Sequence, residues 1–192
     1  MHSELYLNKN FSLSTARLTL VPMTDSHWHE FKALKGDPDL MADIGDILDQ
    51  QALSQEFHLR SGPWQAEEGQ WCSLMIYNKA DDDFVGSFGF RIDSKENRRM
   101  ELGYSFLKQS QGQGYATEAG VALIRFLFEQ VKVRKLIAAC TTSNIASWKI
   151  MEKLSFTREG VLQSDIFINN RWHDSYLYGL VNPRPHESKP GQ

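Results

Sequence analysis

The sequence predicts an α+β fold built on a mixed, mostly antiparallel central sheet of about seven strands flanked by helices. Three observations predict it. Three strand-like runs follow one another between positions 70 and 107 with only short turns between them. A glycine-containing loop, Gln111-Gly112-Gln113-Gly114, joins the last of these runs directly to a segment of helical periodicity. Near the end, Asn169-Asn170 separates two further strand-like runs, and both positions of a two-residue hairpin turn favour residues that accept a positive φ.

Taken in order, Ala16-Arg17-Leu18-Thr19-Leu20-Val21-Pro22 reads as a first strand stopped by proline, and Thr24 or Asp25 then caps a helix to about Lys35. From Asp37 to Gly62 the pattern is helical but interrupted by Pro38, Gly45 and Gly62, which predicts two short helices forming a wall suited to facing a substrate. The meander consists of Trp71 to Tyr77, Phe84 to Ile92 and Met100 to Leu107. Phe84, Phe88, Phe90 and Ile92 share one face of the second run, as Met100, Leu102, Tyr104 and Phe106 do in the third, so one face turns to a core. Ala116, Gly120, Leu123 and Leu127 recur at helical spacing through about Gln130. Lys135 to Cys140 then reads as a short buried strand, Asn144 to Leu154 as a helix, and Val161 to Ile168 with Trp172 to Leu180 as the hairpin.

The 192 residues suit one domain over positions 1–182, with a proline-rich polar tail at 183–192 expected to be disordered. No window approaches the roughly 18 to 20 apolar residues that span a bilayer. Met1-His2-Ser3-Glu4 has no basic flank leading into an apolar run, so the expected address is the cytoplasm. A formal net charge of -3 gives no general reason to bind nucleic acid. Cys72 and Cys140 lie far apart in strand-like runs and are expected as buried free thiols. His27 and His29 are two apart on a helix and cannot share a face, so no metal is expected. Asp81-Asp82-Asp83 lacks calcium-loop spacing. A monomer and a homodimer fit equally.

Without side chains at Gly112 and Gly114 the backbone can curl tightly, so that consecutive N–H groups converge with the positive end of a helix on an anion. Such a nest suits a pyrophosphate, though a plain strand-to-helix turn has the same sequence pattern. The competing phosphate motifs fit worse. A Walker loop needs Gly-Lys-Ser/Thr at a longer spacing, and the dinucleotide fingerprint wants a third glycine where Thr117 stands. The preceding antiparallel meander also differs from a parallel βαβ unit.

Gln109-x-x-Gly112-x-Gly114 resembles the signature of the GNAT superfamily of N-acetyltransferases. Arg17-Leu18, Glu101-Leu102-Gly103-Tyr104, Asn144-x-x-Ser147 and Lys153-Leu154-Ser155-Phe156 leading into Arg158-Glu159-Gly160 agree with it. The combination is similar to the RimJ/RimL-type ribosomal-protein N-terminal acetyltransferase branch and spans roughly residues 14 to 181. The resemblance implies acetyl-coenzyme A as co-substrate. It also implies a sheet splayed between its fourth and fifth strands, the Met100 and Lys135 strands, where the pantetheine arm lies. Backbone N–H groups from Gln111, Gly112, Gln113, Gly114, Tyr115 and Ala116 would hold the pyrophosphate. Phe106 and Leu107 would offer backbone hydrogen bonds to the arm, and Asn144 would bind it from the other side. One departure is Ser155, where the family usually has glycine. A left-handed conformation there costs a non-glycine residue roughly 1 kcal/mol.

The chemistry implied is direct attack of an amine on a thioester within a ternary complex. A backbone N–H near Phe106 or Leu107 can receive the carbonyl oxygen. Many relatives place a tyrosine seven residues after the asparagine, where this chain has Met151. Ser147 matches the serine that the ribosomal-protein branch places near the sulfur, and so becomes the candidate for protonating the thiolate. The plainer reading is a helix serine bonding its own backbone. For a general base, the branch can use a glutamate on the strand before the last hairpin, where this chain has Ile166, leaving Asp165 and Glu101 as equal candidates. A base matters less for an α-amine of pKa about 8, whose deprotonation at pH 7 costs ~1.4 kcal/mol against roughly 4.6 for lysine.

The expected activity is acetyl transfer to a primary amine, most naturally a protein or peptide N-terminus. A polyamine or aminoglycoside-like acceptor is the runner-up, on the strength of Asp37, Asp39, Asp43, Asp46 and Asp49. A non-catalytic coenzyme-A-binding sensor is the third reading. Trp28 and Trp64 fit an acceptor groove or a core equally well. Trp172-His173-Asp174 reads first as cross-strand packing, with His173 able to face the acceptor.

Overall fold

A computed structural model of the protein describes residues 11–184. One mixed sheet organises them, in the order β1-β2-β3-β4-β5-β6-β8-β7. The strands are β1 (Leu13–Ser14), β2 (Leu18–Pro22), β3 (Trp71–Asn78), β4 (Phe84–Ser94), β5 (Arg99–Phe106), β6 (Lys135–Thr141), β7 (Thr157–Ile168) and β8 (Arg171–Val181). Among these strands only the β5–β6 pair is parallel. The helices are α1 (Trp28–Lys35), α2 (Pro38–Met41), α3 (Gln50–Ser61), α4 (Tyr115–Glu129) and α5 (Ile145–Lys153).

The sequence reading of the meander, both later helices and the hairpin matches this architecture. Three details differ. The first strand starts at Leu18 rather than Ala16, because Thr15 N–H bonds the Leu18 carbonyl at 2.9 Å and closes a tight turn that adds the two-residue β1. The first helix opens as a 3-10 turn, Asp25–His27, with Thr24 and His27 capping each other. Phe84 leaves the face it was expected to share. A bulge between Ile76 and Tyr77 in the β3–β4 register turns it over, so it packs with Met75 and Tyr77 while Phe88, Phe90 and Ile92 stay together.

Two cores follow from the alternation of β3 to β6. One face buries Leu74, Phe88, Met100 and Leu136 against Ala119, Leu123 and Leu127 of α4 and Met151 of α5. The opposite face buries Met75 against Phe31, Leu53 and Phe57 of α1 and α3, with Trp28 edge-on to Phe57 at 5.2 Å. Trp64 also packs in the first core, 5.4 Å from the Phe90 ring. Both tryptophans thus serve packing. Cys72 and Cys140 are buried free thiols.

Ser155, just past α5, has φ 66°, the left-handed conformation expected there. Ser155→Gly should therefore raise unfolding free energy by about 1 kcal/mol in urea titrations, with acetyl transfer unchanged. Asn169 and Asn170, at φ 50° and 60°, make the tight turn of the β7–β8 hairpin. The tail expectation concerns positions of which 185–192 lie outside the described residues. No described helix is long and apolar enough to cross a membrane.

Candidate active site

The sheet opens where β5 and β6 part. β5 pairs with β4 as far as Phe106 and β6 with β8 as far as Thr141, yet β5 and β6 pair only at Arg99–Glu101 with Lys135–Ile137. Beyond that point each strand keeps its outer neighbour and lacks its inner one. Leu107 N–H donates to the Val85 carbonyl at 3.0 Å, which makes Gly86–Phe106 a non-hydrogen-bonded pair of the antiparallel ladder. The backbone groups of Phe106 consequently point away from β4 into the split. Its carbonyl takes the Gln111 side-chain amide at 3.1 Å, and its N–H faces the opening. Leu107, expected to share this task, has its carbonyl bonded by Ser110 N–H as well as its N–H engaged, so Phe106 alone of the two offers a donor.

Above the split lies the glycine loop. After a 3-10 turn at Lys108–Ser110, Gly112 (φ 75°) and Gly114 (φ 82°) adopt left-handed conformations, and Gly114 is the N-cap of α4. No side chain caps this helix, so its first N–H groups remain for an anion. Nothing lies within 4 Å of a Cβ added at Gly112. Arg17 braces the loop from behind. Its Nη1 donates to the Gln113 carbonyl at 3.1 Å, its Nε to Glu118 at 2.7 Å, and its guanidinium lies 4.7 Å from the Tyr115 ring centroid. Burial raises the Glu118 carboxyl, but bonds from Thr15 and Arg17 outweigh that and hold it below the usual carboxylate range.

On the far side of the split, Asn144 caps α5 by accepting from Ser147 N–H at 3.0 Å. The Ser147 hydroxyl donates to the Tyr104 oxygen at 3.1 Å rather than to its own helix, and Tyr104 donates to the Ser147 carbonyl at 2.8 Å. Burial pushes the Cys140 thiol up, with its hydrogen bond to Ser147 acting the other way. Met151, where many relatives place a tyrosine, is 1% exposed and packs in the first core where it borders the cleft.

These features line one cleft of about 840 Å³ that contains Phe106, Gln111, Gly112, Gly114, Asn144 and Ser147, together with Tyr115 and Ala116. Of the predicted positions, Leu107, Gln113, Glu101 and Asp165 are outside its lining. Glu101 is held by Arg91 at 2.6 Å, and the Arg91 guanidinium lies 5.0 Å from the Trp71 ring centroid. The carboxylate is occupied by Arg91 and stands outside the cleft lining, which counts against Glu101 as the base. β7 is irregular at Asp165. Gln163, Ser164 and Asp165 together oppose Asp174, Ser164 N–H bonds Asp174 at 2.9 Å, and Asp165 accepts from the buried Ser175. Ile166 is the residue of this stretch that enters the lining.

The acidic run is divided among structural tasks. Asp37 and Asp49 cap α2 and α3, Asp39 pairs with Lys108 at 2.7 Å, Ser143 donates to Asp43, and Asn169 N–H donates to Asp46 at 2.7 Å. Asp39 and Asp43 reach the cleft, where Lys35, Arg60, Lys149 and Lys153 outnumber them. Sequence reasoning missed Trp71, whose ring lies 3.1 Å from a Cβ placed at either Gly89 or Gly103 and so fills part of the cleft floor. It also missed the bridging role of Tyr104. His173 accepts from Arg171 at 3.0 Å instead of lining the cleft. Among the described residues no group of His, Cys, Asp and Glu could hold a metal.

Residues 17–157 match the family described as Acetyltransferase (GNAT) domain. The chain belongs to the GNAT acetyltransferase family. It is 35% identical over 169 residues to the uncharacterized N-acetyltransferase YnaD of Bacillus subtilis (strain 168), covering 88% of this chain and 96% of YnaD. With the uncharacterized N-acetyltransferase p20 of Bacillus licheniformis, identity is 32% over 114 residues, 59% of this chain and 64%, under two thirds, of p20. The ribosomal-protein-serine acetyltransferase of Escherichia coli (strain K12) is 28% identical over 108 residues, 56% of this chain and 59% of that protein. A RimL ribosomal L7/L12 alpha-N-protein acetyltransferase in complex with coenzyme A shares the fold, with TM-score 0.77 at 18% identity over 89% of this chain and 98% of that one.

For a GNAT chain the donor set is chemically apt. A nest of backbone N–H groups under two left-handed glycines fits a diphosphate, and a split exposing the Phe106 N–H fits an amide-bearing arm running as a pseudo-strand.

Proposed function

We propose that this acetyltransferase moves the acetyl group of acetyl-coenzyme A to a protein N-terminal α-amine. The observation that carries the transfer is the split between β5 and β6 lying beside the glycine loop. Bound acetyl-coenzyme A supplies a thioester, whose C–S bond breaks as the new C–N bond forms. Phe106 N–H polarises the carbonyl oxygen. Ser147 Oγ–H, which rests on the Tyr104 oxygen, turns about its C–O bond to the departing sulfur, gives it the proton and is reprotonated, through water, by the proton the amine nitrogen sheds. The cleft carboxylates Asp39 and Asp43 already accept hydrogen bonds, and an α-amine loses its proton without a dedicated base more readily than a lysine does.

The acceptor reading rests on charge and on the rim. Cations outnumber carboxylates on the cleft wall, which disfavours a polyamine or an aminosugar. Ile44 lines the cleft and is 42% exposed, and Ile47 and Leu48 continue the same apolar segment at 48% and 36%. The Asn169–Asp46 bond ties this segment to the turn of the β7–β8 hairpin. An apolar rim suits a polypeptide better than a small polar cation. The similarity to the ribosomal-protein-serine acetyltransferase points the same way.

The test is a panel of serine-, alanine- and methionine-initiated peptides beside spermidine and an aminoglycoside, read by release of free thiol. Peptide turnover should exceed small-amine turnover at least tenfold. Preference for spermidine would overturn the acceptor assignment, and tight acetyl-coenzyme A binding with no transfer to any member would overturn the catalytic one.

A further inference from the structure

We propose that Tyr104 is a positioning residue for Ser147, fixing its hydroxyl at the mouth of the split by a two-point contact that joins β5 to α5. The inference rests on the sulfur-side role assigned to Ser147 above. Three observations carry it. First, the contact crosses the gap: Tyr104 lies on β5 beyond Glu101, the last β5 residue paired with β6, and Ser147 lies on the helix that follows β6. Second, the contact is reciprocal. The phenol proton goes to the Ser147 carbonyl at 2.8 Å, leaving the phenol oxygen to accept from Ser147 Oγ at 3.1 Å. With its only proton committed, Tyr104 meets the serine hydroxyl as an acceptor, which sets the serine rotamer as well as its backbone. Third, the ring is itself held, its centroid 5.0 Å from that of Phe88.

A serine in the first turn of a helix ordinarily has local backbone acceptors, and a hydroxyl turned to one of them would face its own helix. Tyr104 replaces that local bond with one across the cleft. Burial raises the phenol well above its ordinary value, with the Ser147 hydrogen bond acting in the opposite direction, so the group stays neutral through the working pH range. Cys140, the other polar neighbour of Ser147, is buried with its thiol likewise pushed up and neutral. The serine oxygen is thus placed by Tyr104 as an uncharged partner.

Tyr104→Phe keeps the ring and deletes the two hydrogen bonds. With the serine-initiated peptide as acceptor, or spermidine should the panel select it, kcat should fall about tenfold, with KM for acetyl-coenzyme A and acceptor within twofold and thermal midpoint little changed. In a Ser147→Ala background the same substitution should produce no further loss, because the hydroxyl it positions is gone. Unchanged kcat in Tyr104→Phe while Ser147→Ala is slow would overturn the positioning role and leave the proposed function standing. A full additional loss in the Ser147→Ala background would also overturn it, as would a raised KM for acetyl-coenzyme A at constant kcat. Normal turnover in Ser147→Ala itself would instead sink the sulfur-side assignment on which the inference rests.

Discussion

Gly114→Asp should reduce acetyl-coenzyme A affinity by at least about 100-fold, or ~2.7 kcal/mol, measured by calorimetry on the purified protein. Two effects act together. Gly114 sits at φ 82°, where any side chain is strained by roughly 1–2 kcal/mol, so the loop loses the conformation that aims its N–H groups. The new carboxylate also enters a site organised for an anion, at the positive end of α4, where it competes with the diphosphate. A Cβ at this position lies 3.5 Å from Arg17 Nη2, so the aspartate also draws Arg17 away from Glu118 and Gln113. Gly114→Ala separates these effects. It carries the backbone strain without the charge, and should lose affinity by about tenfold or less. Equal losses in the two variants would mean that conformation alone matters, and retained affinity in Gly114→Asp would remove the diphosphate from this loop.

Most of this loop was legible in the sequence because glycine at a left-handed position and helical spacing after it are local properties. The same holds for Ser155, whose strain follows from one residue type at one helix end, and for Asn169-Asn170. Where the sequence misled, the cause was non-local. Phe84 kept perfect alternation with Phe88, yet a bulge that leaves Val85 without a partner on β3 flipped its face, and a bulge is a property of two strands together. Asp165 shows the same limit: the wide irregularity between Leu162 and Ile166 sets its carboxylate on Ser175, a placement that depends on both strands of the hairpin. Glu101 stood as a candidate base for its place on the central strand, and no local pattern records that Arg91, ten residues away in sequence, is its cross-strand neighbour in space. Leu107 and Phe106 were indistinguishable until the ladder showed which of them points outward. Tyr104 was counted with the core because its spacing fits the buried face of β5, and no local pattern records that its hydroxyl reaches an element 43 residues later.

Ser147→Ala should lower kcat by one to two orders of magnitude while leaving acetyl-coenzyme A affinity within about twofold. Binding is expected to survive because the substitution touches neither the glycine loop nor the cap: Asn144 bonds the Ser147 backbone N–H, and Tyr104 still donates to the Ser147 carbonyl. The size of the kinetic loss can be bounded. An ordinary thiol has a pKa near 8.5, so expelling it unprotonated at pH 7 is unfavourable by about 2 kcal/mol relative to the neutral thiol, equivalent to roughly 30-fold. Protonation by Ser147 can contribute up to about that much, and stabilisation of the developing thiolate by the hydroxyl dipole accounts for any excess. The sign of the pH dependence follows. As pH rises from 7 towards 9 the thiolate becomes an acceptable leaving form, so the ratio of wild-type to Ser147→Ala turnover should shrink by about tenfold or more. A ratio that stays constant across that range would assign Ser147 to positioning the arm instead of protonating sulfur. A ratio near one at pH 7 would remove it from the chemistry altogether.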